Sequence, residues 1–346
     1  MKKKILVQLL LIILILTMSG CKSKEEDTKD TGATAKKLQI GLSFDSFVIE
    51  RWQRDRDVFV STAQELGAEV NVQNANGDVK EQISQIEYLI DKKMDAIVVI
   101  AVDSEACSEV LQKAKDAGIV VIAYDRLVSN ADVDLYISFD NEKVGHLMAE
   151  TLVKEVPKGG NIITIFGSTT DNNVTLVEKG FNEVMEGADL NIVYSVNAKG
   201  WLAEEAFNAV NTALSENSEI DGVMCGNDNL ASEAVRALSE NRLAGKVVVT
   251  GQDADLVACQ RIVEGTQTMT VYKPVDQLAK TAAEYAVKLA TGEKIDVSET
   301  INDGSHEVPY VKLEPIAVNK DNIYKVIIEG GFQREEDVYL NVPKEE

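Results

Sequence analysis

Ile119-Val-Val-Ile-Ala-Tyr-Asp125-Arg126 is a short apolar run that ends abruptly on two charged side chains. Gly222-Val-Met-Cys-Gly-Asn227-Asp228 and Val247-Val-Val-Thr-Gly-Gln-Asp253 repeat the pattern. Each run reads as a strand, and between such runs lie apolar residues at helical spacing, as at Ile83, Ile86, Leu89 and Ile90, or Ala206, Val210 and Leu214. Strands are predicted near 38–44, 69–73, 96–102, 120–124, 135–138, 162–166, 192–196, 222–225, 247–250 and 269–272. Strand, helix and strand in regular succession imply an α/β chain of doubly wound parallel sheets with right-handed crossovers. In such sheets ligands bind beyond the carboxyl ends of the strands, so the polar terminators converge on one crevice. For any single terminator a second reading stands, because Asp or Asn after a strand also N-caps the following helix.

Large twisted sheets tend to split, and domains centre on about 100–150 residues. Two lobes are therefore expected, one from 37–139 plus 271–310 and one from 140–270 plus 311–346. No Gly/Ser linker separates them. The candidate crossings are Ser138-Phe-Asp-Asn141, Thr268-Met-Thr-Val-Tyr-Lys273 and Val308-Pro-Tyr-Val-Lys-Leu-Glu-Pro315, a three-segment hinge.

The chain has 346 residues, 45% of them hydrophobic, and a formal net charge of −22. That acidity argues against nucleic acid or an anionic lipid surface as a direct electrostatic partner. Three lysines, the apolar run Ile5 to Leu16 and the small residues before Cys21 mark 1–20 as a signal peptide. The apolar run is shorter than the roughly 20 residues that span a bilayer. The segment resembles a bacterial lipobox, with Met18 where such sites usually carry Leu, and that resemblance implies acylation of Cys21. Residues 21–36 are rich in Lys, Glu, Asp and Thr and read as a flexible tether. An exported protein anchored to the membrane by lipid is the expectation.

Catalytic signatures are thin. No Gly-x-Gly-x-x-Gly follows a strand, and neither a Walker-type loop nor a Gly-x-Ser-x-Gly elbow is present. The two histidines, His146 and His306, have no nearby Cys or His at metal-ligand spacing. Cys107, Cys225 and Cys259 match no metal framework and read as buried thiols, with a Cys225–Cys259 bridge left open by spacing alone. The expectation is no enzyme, no metal and no cofactor. What the strand ends offer is multidentate hydrogen bonding: Asp125, Asn227 and Asp253 accept, Arg126 and Lys273 donate, and Asn172 and Asn173 do both. A polyhydroxylated ligand uses all of these, and the aromatic rings of Trp52 and Trp201 suit the apolar C–H face of a sugar.

Several longer runs resemble a known family. They are Glu50-Arg-Trp-Gln-Arg-Asp-Arg-Asp57, Ser84-Gln-Ile-Glu87, Ala123-Tyr-Asp-Arg126, Tyr136-Ile-Ser-Phe-Asp-Asn-Glu-Lys-Val-Gly145, Gly251-Gln-Asp-Ala-Asp-Leu256 and Gly265-Thr-Gln-Thr-Met-Thr-Val-Tyr-Lys-Pro274. From Lys37 onward the chain resembles the D-xylose-binding proteins of bacterial ABC transporters, within the type I periplasmic binding proteins. The resemblance implies that Arg51, Asp125 and Arg126 line one side of the cleft, and that Asn173, Trp201, Asn227, Asp253 and Lys273 line the other side and the hinge. It implies that Trp201 stacks on the sugar, opposed by Trp52, and that the closed form docks on a membrane permease. Thr175 departs from the family pattern, which has a basic residue after Asp171-Asn-Asn173. Three competing readings are an enzyme on the same scaffold, disfavoured by the missing cofactor loops, a transcription regulator, disfavoured by the leader, and a sugar sensor signalling to a membrane kinase or chemoreceptor. The last stays open, because sensor and transport protein would share the same cleft.

Overall fold

The ten predicted strands all form in the computed structural model, which describes residues 37–342 apart from 217 and 218. The expected signal peptide, tether and Cys21 lie outside the described residues. The strands are β1 (Gln39–Phe44), β2 (Glu69–Asn74), β3 (Ala96–Val99), β4 (Val120–Tyr124), β5 (Leu135–Phe139), β6 (Gly160–Phe166), β7 (Leu190–Asn197), β8 (Gly222–Cys225), β9 (Val248–Gln252) and β10 (Met269–Tyr272), followed by β11 (Thr300–Asn302), β12 (Glu307–Leu313) and β13 (Ile316–Asn319). The helices are α1 (Arg51–Glu65), α2 (Val79–Asp91), α3 (Ser108–Asp116), α4 (Asn141–Glu155), α5 (Asn172–Met185), α6 (Glu204–Glu216), α7 (Asp228–Glu240), α8 (Leu256–Glu264), α9 (Val275–Ala290) and α10 (Glu335–Val338).

Two sheets result, ordered β11-β12-β5-β4-β3-β1-β2 and β13-β10-β9-β8-β6-β7. Pairing is parallel except at the margins, where β11 meets β12 and β13 meets β10 antiparallel. Central strands such as β3, β5 and β8 are buried along their whole length, as sheets covered by helices on both faces require. The helices begin on side-chain caps: Asp78 accepts from the Lys80 and Glu81 amides, Asp140 from Lys143 and Asp171 from Asn173. This is the type I periplasmic binding protein fold.

The chain crosses between the sheets three times. β5 belongs to the first sheet and α4 packs on the second, so the first crossing lies at Asp140. Tyr272 still pairs in the second sheet while α9 packs on α1, which puts the second crossing at Lys273 and Pro274, two residues later than expected. Leu313 pairs with Phe139 in the first sheet and Ile316 with Tyr272 in the second, so the third crossing lies at Glu314 and Pro315 rather than after residue 310. Strands β11 to β13 escaped the sequence reading because they are short or carry Pro309, which removes a ladder donor. Cys107, Cys225 and Cys259 are buried free thiols, and no bridge joins Cys225 to Cys259. Burial pushes the Cys107 thiol up to about 12.

Candidate ligand-binding site

Six strands deliver a polar or glycine residue to the same place. β1 ends before Asp45, β4 before Asp125, β6 before Gly167, β8 before Gly226-Asn227, β9 before Asp253 and β10 before Lys273. Between the two sheets these ends bound a narrow pocket with about 20 Å³ of free space for a water-sized molecule, or about 320 Å³ when the gaps between atoms and the open solvent at its mouth are counted. Arg51, Trp52, Asp125, Arg126, Asn173, Trp201, Asn227, Asp253 and Lys273 all line it, whereas Asn172 does not. Ile49, Asn141, Asp171 and Gln252 complete the wall. All thirteen side chains are buried.

The terminators divide between the two readings open to them. Asn227 does cap a helix, accepting from the Leu230 amide at 2.9 Å, and it lines the cavity as well. Asp125 and Asp253 cap nothing. Their backbones turn to φ +63° and +100°, regions that residues with a side chain seldom occupy. Such strain concentrates where a side chain must be aimed at a partner.

Charges are tightly paired around the cavity. Arg51 places Nη1 2.9 Å from Asp125 Oδ2 and donates from Nη2 to Asp55 Oδ1 at 2.8 Å. Lys273 Nζ lies 2.9 Å from Asp253 Oδ1. Arg126 Nη1 donates to Asp45 Oδ2 at 2.8 Å and to the Ala101 carbonyl at 3.0 Å, while its Nε reaches Asp171 Oδ2 at 2.8 Å across the cleft. Asn173 Nδ2 also crosses, donating to the carbonyl and Oδ1 of Asp125 at 3.0 Å each. Away from the cavity, the Ser104 amide donates to the Thr170 carbonyl at 3.0 Å and Asn229 Nδ2 to the Val48 carbonyl at 3.2 Å. The lobes are thus closed on one another through direct bonds.

Burial raises the Asp125 carboxyl, but the charges of Arg51, Lys273 and Arg126 outweigh it and hold the group below its ordinary value. Burial wins at Asp45 and Asp171, which are both pushed up despite Arg126. Arg51 is held well above its ordinary value, since Asp125 and Asp55 outweigh its desolvation.

Not every polar atom is satisfied. Trp52 Nε1, Trp201 Nε1, Arg126 Nη2 and Gln252 Oε1 are buried and have no hydrogen-bond partner. Leaving such a group unpaired costs about 1–3 kcal/mol. Three donors and one acceptor on the wall of one cavity match a ligand whose every hydroxyl both donates and accepts. Apolar contact is provided too. Trp201 lies so close to Gly167 that a Cβ there would stand 2.1 Å from ring atom Cη2. Trp52 lies beneath two guanidinium groups, with Arg51 4.4 Å and Arg126 5.7 Å from its ring centroid.

Asn141, Asp171 and Gln252 sit beside residues that the sequence reading had marked, and adjacency to a strand end was the signal available for them. Ile49 carried none. Thr175 is exposed on α5 and does not line the cavity, so the departure from the family pattern leaves the wall untouched. His146 pairs with Glu183 at 2.8 Å and His306 lies 3.5 Å from Asp303, and neither lines the cavity. Among the described residues no His, Cys, Asp and Glu group is arranged to hold a metal.

Residues 40–294 match a periplasmic binding protein domain. The chain belongs to that family. It is a family of solute-binding proteins that do not catalyse. The chain is 47% identical over 314 residues to a D-xylose-binding periplasmic protein of Haemophilus influenzae, covering 89% of this chain and 94% of that one. A D-xylose-binding periplasmic protein of Escherichia coli is 45% identical, with 89% and 95% covered. Among solved structures, a carbohydrate transporter solute-binding protein from Chloroflexus aurantiacus in complex with D-glucose superimposes with a TM-score of 0.81 at 25% identity, covering 87% of this chain and 98% of that one.

Proposed function

We propose that the protein is an extracytoplasmic solute-binding protein that captures an aldose, D-xylose before others, and hands it to an ABC permease. The observation that carries the reading is the buried pocket between the lobes, whose wall holds two tryptophans, three unpartnered donors and one unpartnered acceptor. Because the pocket is small and all of its lining side chains are buried, a single sugar unit is favoured over a glycosidic chain. The two relatives at 47% and 45% identity are both D-xylose-binding proteins, and they supply the choice among sugars.

In this reading the Trp52 and Trp201 rings cover the C–H faces of the sugar. Asp125, Asp253, Asn173, Asn227 and Gln252 accept its hydroxyls, and Arg51, Arg126 and Lys273 donate. Charged hydrogen bonds to neutral groups contribute about 1.5–3 kcal/mol each, less what water had supplied. Since one wall comes from each lobe, the sugar bridges them and stabilises closure. Cys21 carries the lipid that keeps the protein at the membrane, as the lipobox-like segment implies.

A crystal grown with D-xylose tests this directly. Density for the pentose between Trp52 and Trp201 supports it, and density only elsewhere overturns it. The partner is tested by pull-down from solubilised membranes with and without sugar. Recovery of permease subunits supports transport, whereas recovery of a kinase or chemoreceptor would make the protein a sensor, the role suggested by a relative, 31% identical, that is a multiple sugar-binding periplasmic receptor.

A further inference from the structure

Asp55 and Tyr124 do not line the cavity, yet both are fully buried against a residue that does. Asp55 stands one helical turn after Arg51 on α1 and takes the Nε/Nη2 edge of its guanidinium in both oxygens, at 3.1 Å from Nε and 2.8 Å from Nη2. The Tyr124 hydroxyl donates to the same carboxylate. With that edge committed, the opposite end of the Arg51 guanidinium is turned to the cavity, where Nη1 lies 2.9 Å from Asp125 Oδ2. A bidentate pair of this kind fixes the plane of the guanidinium as well as its distance.

These contacts close a ring. Tyr124 holds Asp55, Asp55 holds Arg51, Arg51 holds Asp125, and Asp125 follows Tyr124 in the chain. The ring joins the end of β4 to the first turn of α1, so the direction of Nη1 and the orientation of the Asp125 carboxylate are set together. Trp52 depends on the same anchor, because the Arg51 guanidinium carbon lies 4.4 Å from its ring centroid.

We propose that Asp55, assisted by Tyr124, is a positioning residue that sets sugar affinity through Arg51. The proposal rests on the sugar-binding reading above. Asparagine at 55 retains the size of the side chain but loses the charge and one acceptor oxygen, and its amide then confronts an arginine donor. Arg51 is freed to rotate, Nη1 leaves Asp125, and one face of Trp52 loses its support.

The test is calorimetric titration of the purified full chain with D-xylose, for wild type, Asp55→Asn, Arg51→Lys, the double variant and Tyr124→Phe, with melting curves alongside. Asp55→Asn is expected to weaken binding at least tenfold. The double variant is expected to bind within about threefold of Arg51→Lys alone, because residues in one network are not additive. Tyr124→Phe, which removes one hydroxyl, should weaken binding about threefold and serves as the readout should Asp55→Asn fail to fold. Wild-type affinity in Asp55→Asn or Tyr124→Phe, whatever the melting temperature, overturns the proposal, as does full additivity in the double variant. If wild type itself takes up no aldose, the binding reading falls and takes this proposal with it.

Discussion

Replacing Gly167 with alanine adds one methyl group at the edge of the Trp201 ring. The new Cβ would lie 2.1 Å from Cη2 and 2.2 Å from Cζ2. Carbon atoms attract best near 3.5–4.0 Å, so the ring must withdraw by roughly 1.4 Å or more. Gly167 is not among the residues with positive φ, so the contact with Trp201 and not a left-handed backbone is the source of strain. Overpacking of a well-filled site costs about 1–3 kcal/mol. If the displaced ring is the one that covers the sugar, that cost appears in binding, a loss of about 5- to 150-fold. Calorimetric titration with D-xylose measures it, and a melting curve shows whether the fold survives. Affinity within twofold of wild type would refute the reasoning, because Trp201 could then leave its place on the wall without consequence for the ligand.

Asp125→Ala and Asp253→Ala should each weaken D-xylose binding at least tenfold, about 1.4 kcal/mol, since the first strips Arg51 of one of its two carboxylates and the second removes the carboxylate paired with the buried Lys273; unchanged affinity in a titration would remove that residue from the site. Asp171→Ala deletes the ion pair that reaches Arg126 across the cleft, and breaking a buried pair from one side costs about 3–5 kcal/mol. The sugar-free variant should therefore be more open, read as a larger radius of gyration in X-ray scattering, and a scattering curve identical to wild type would contradict the latch. Asp303 accepts the amides of Ala131, Asp132, Ser305 and His306, and these bonds outweigh burial and hold its carboxyl below the ordinary 3.8. A lowered carboxylate stabilises the fold above its unfolded value and loses that contribution as the pH falls through the folded one. The melting temperature of wild type should therefore drop more steeply below about pH 4 than that of Asp303→Ala, and parallel curves would count against this role.

The fold was legible because the apolar runs are short, regular and separated by helical spacing; their polar ends pointed to Asp125, Arg126, Asn227, Asp253 and Lys273, while Arg51 came only from the family resemblance. What escaped had physical reasons. Asp171 pairs with Arg126, 45 positions away and in the other lobe, and no local pattern announces a partner that closure alone provides. The question of cap or ligand contact turned on backbone dihedrals: Asn227 proved to do both, whereas Asp125 and Asp253 sit at positive φ and cap nothing. The ring through Asp55 and Tyr124 was equally hidden, since the helical spacing of Arg51 and Asp55 reads as an ordinary surface pair until the helix is seen to face inward. The hinge crossings fall within a few residues of their expected places, and the differences arise because the expected boundaries after 270 and 310 cut through β10 and β12 instead of following their ends.

The central claim is that this cavity takes a single aldose and prefers D-xylose. Isothermal titration of the purified protein against D-xylose, D-ribose, L-arabinose, D-glucose and D-galactose tests it most directly. The account predicts a one-to-one isotherm with D-xylose, tighter than with the other four. No heat with D-xylose at millimolar concentration would contradict the choice of sugar, and no heat with any of the five would contradict the account of the cavity itself.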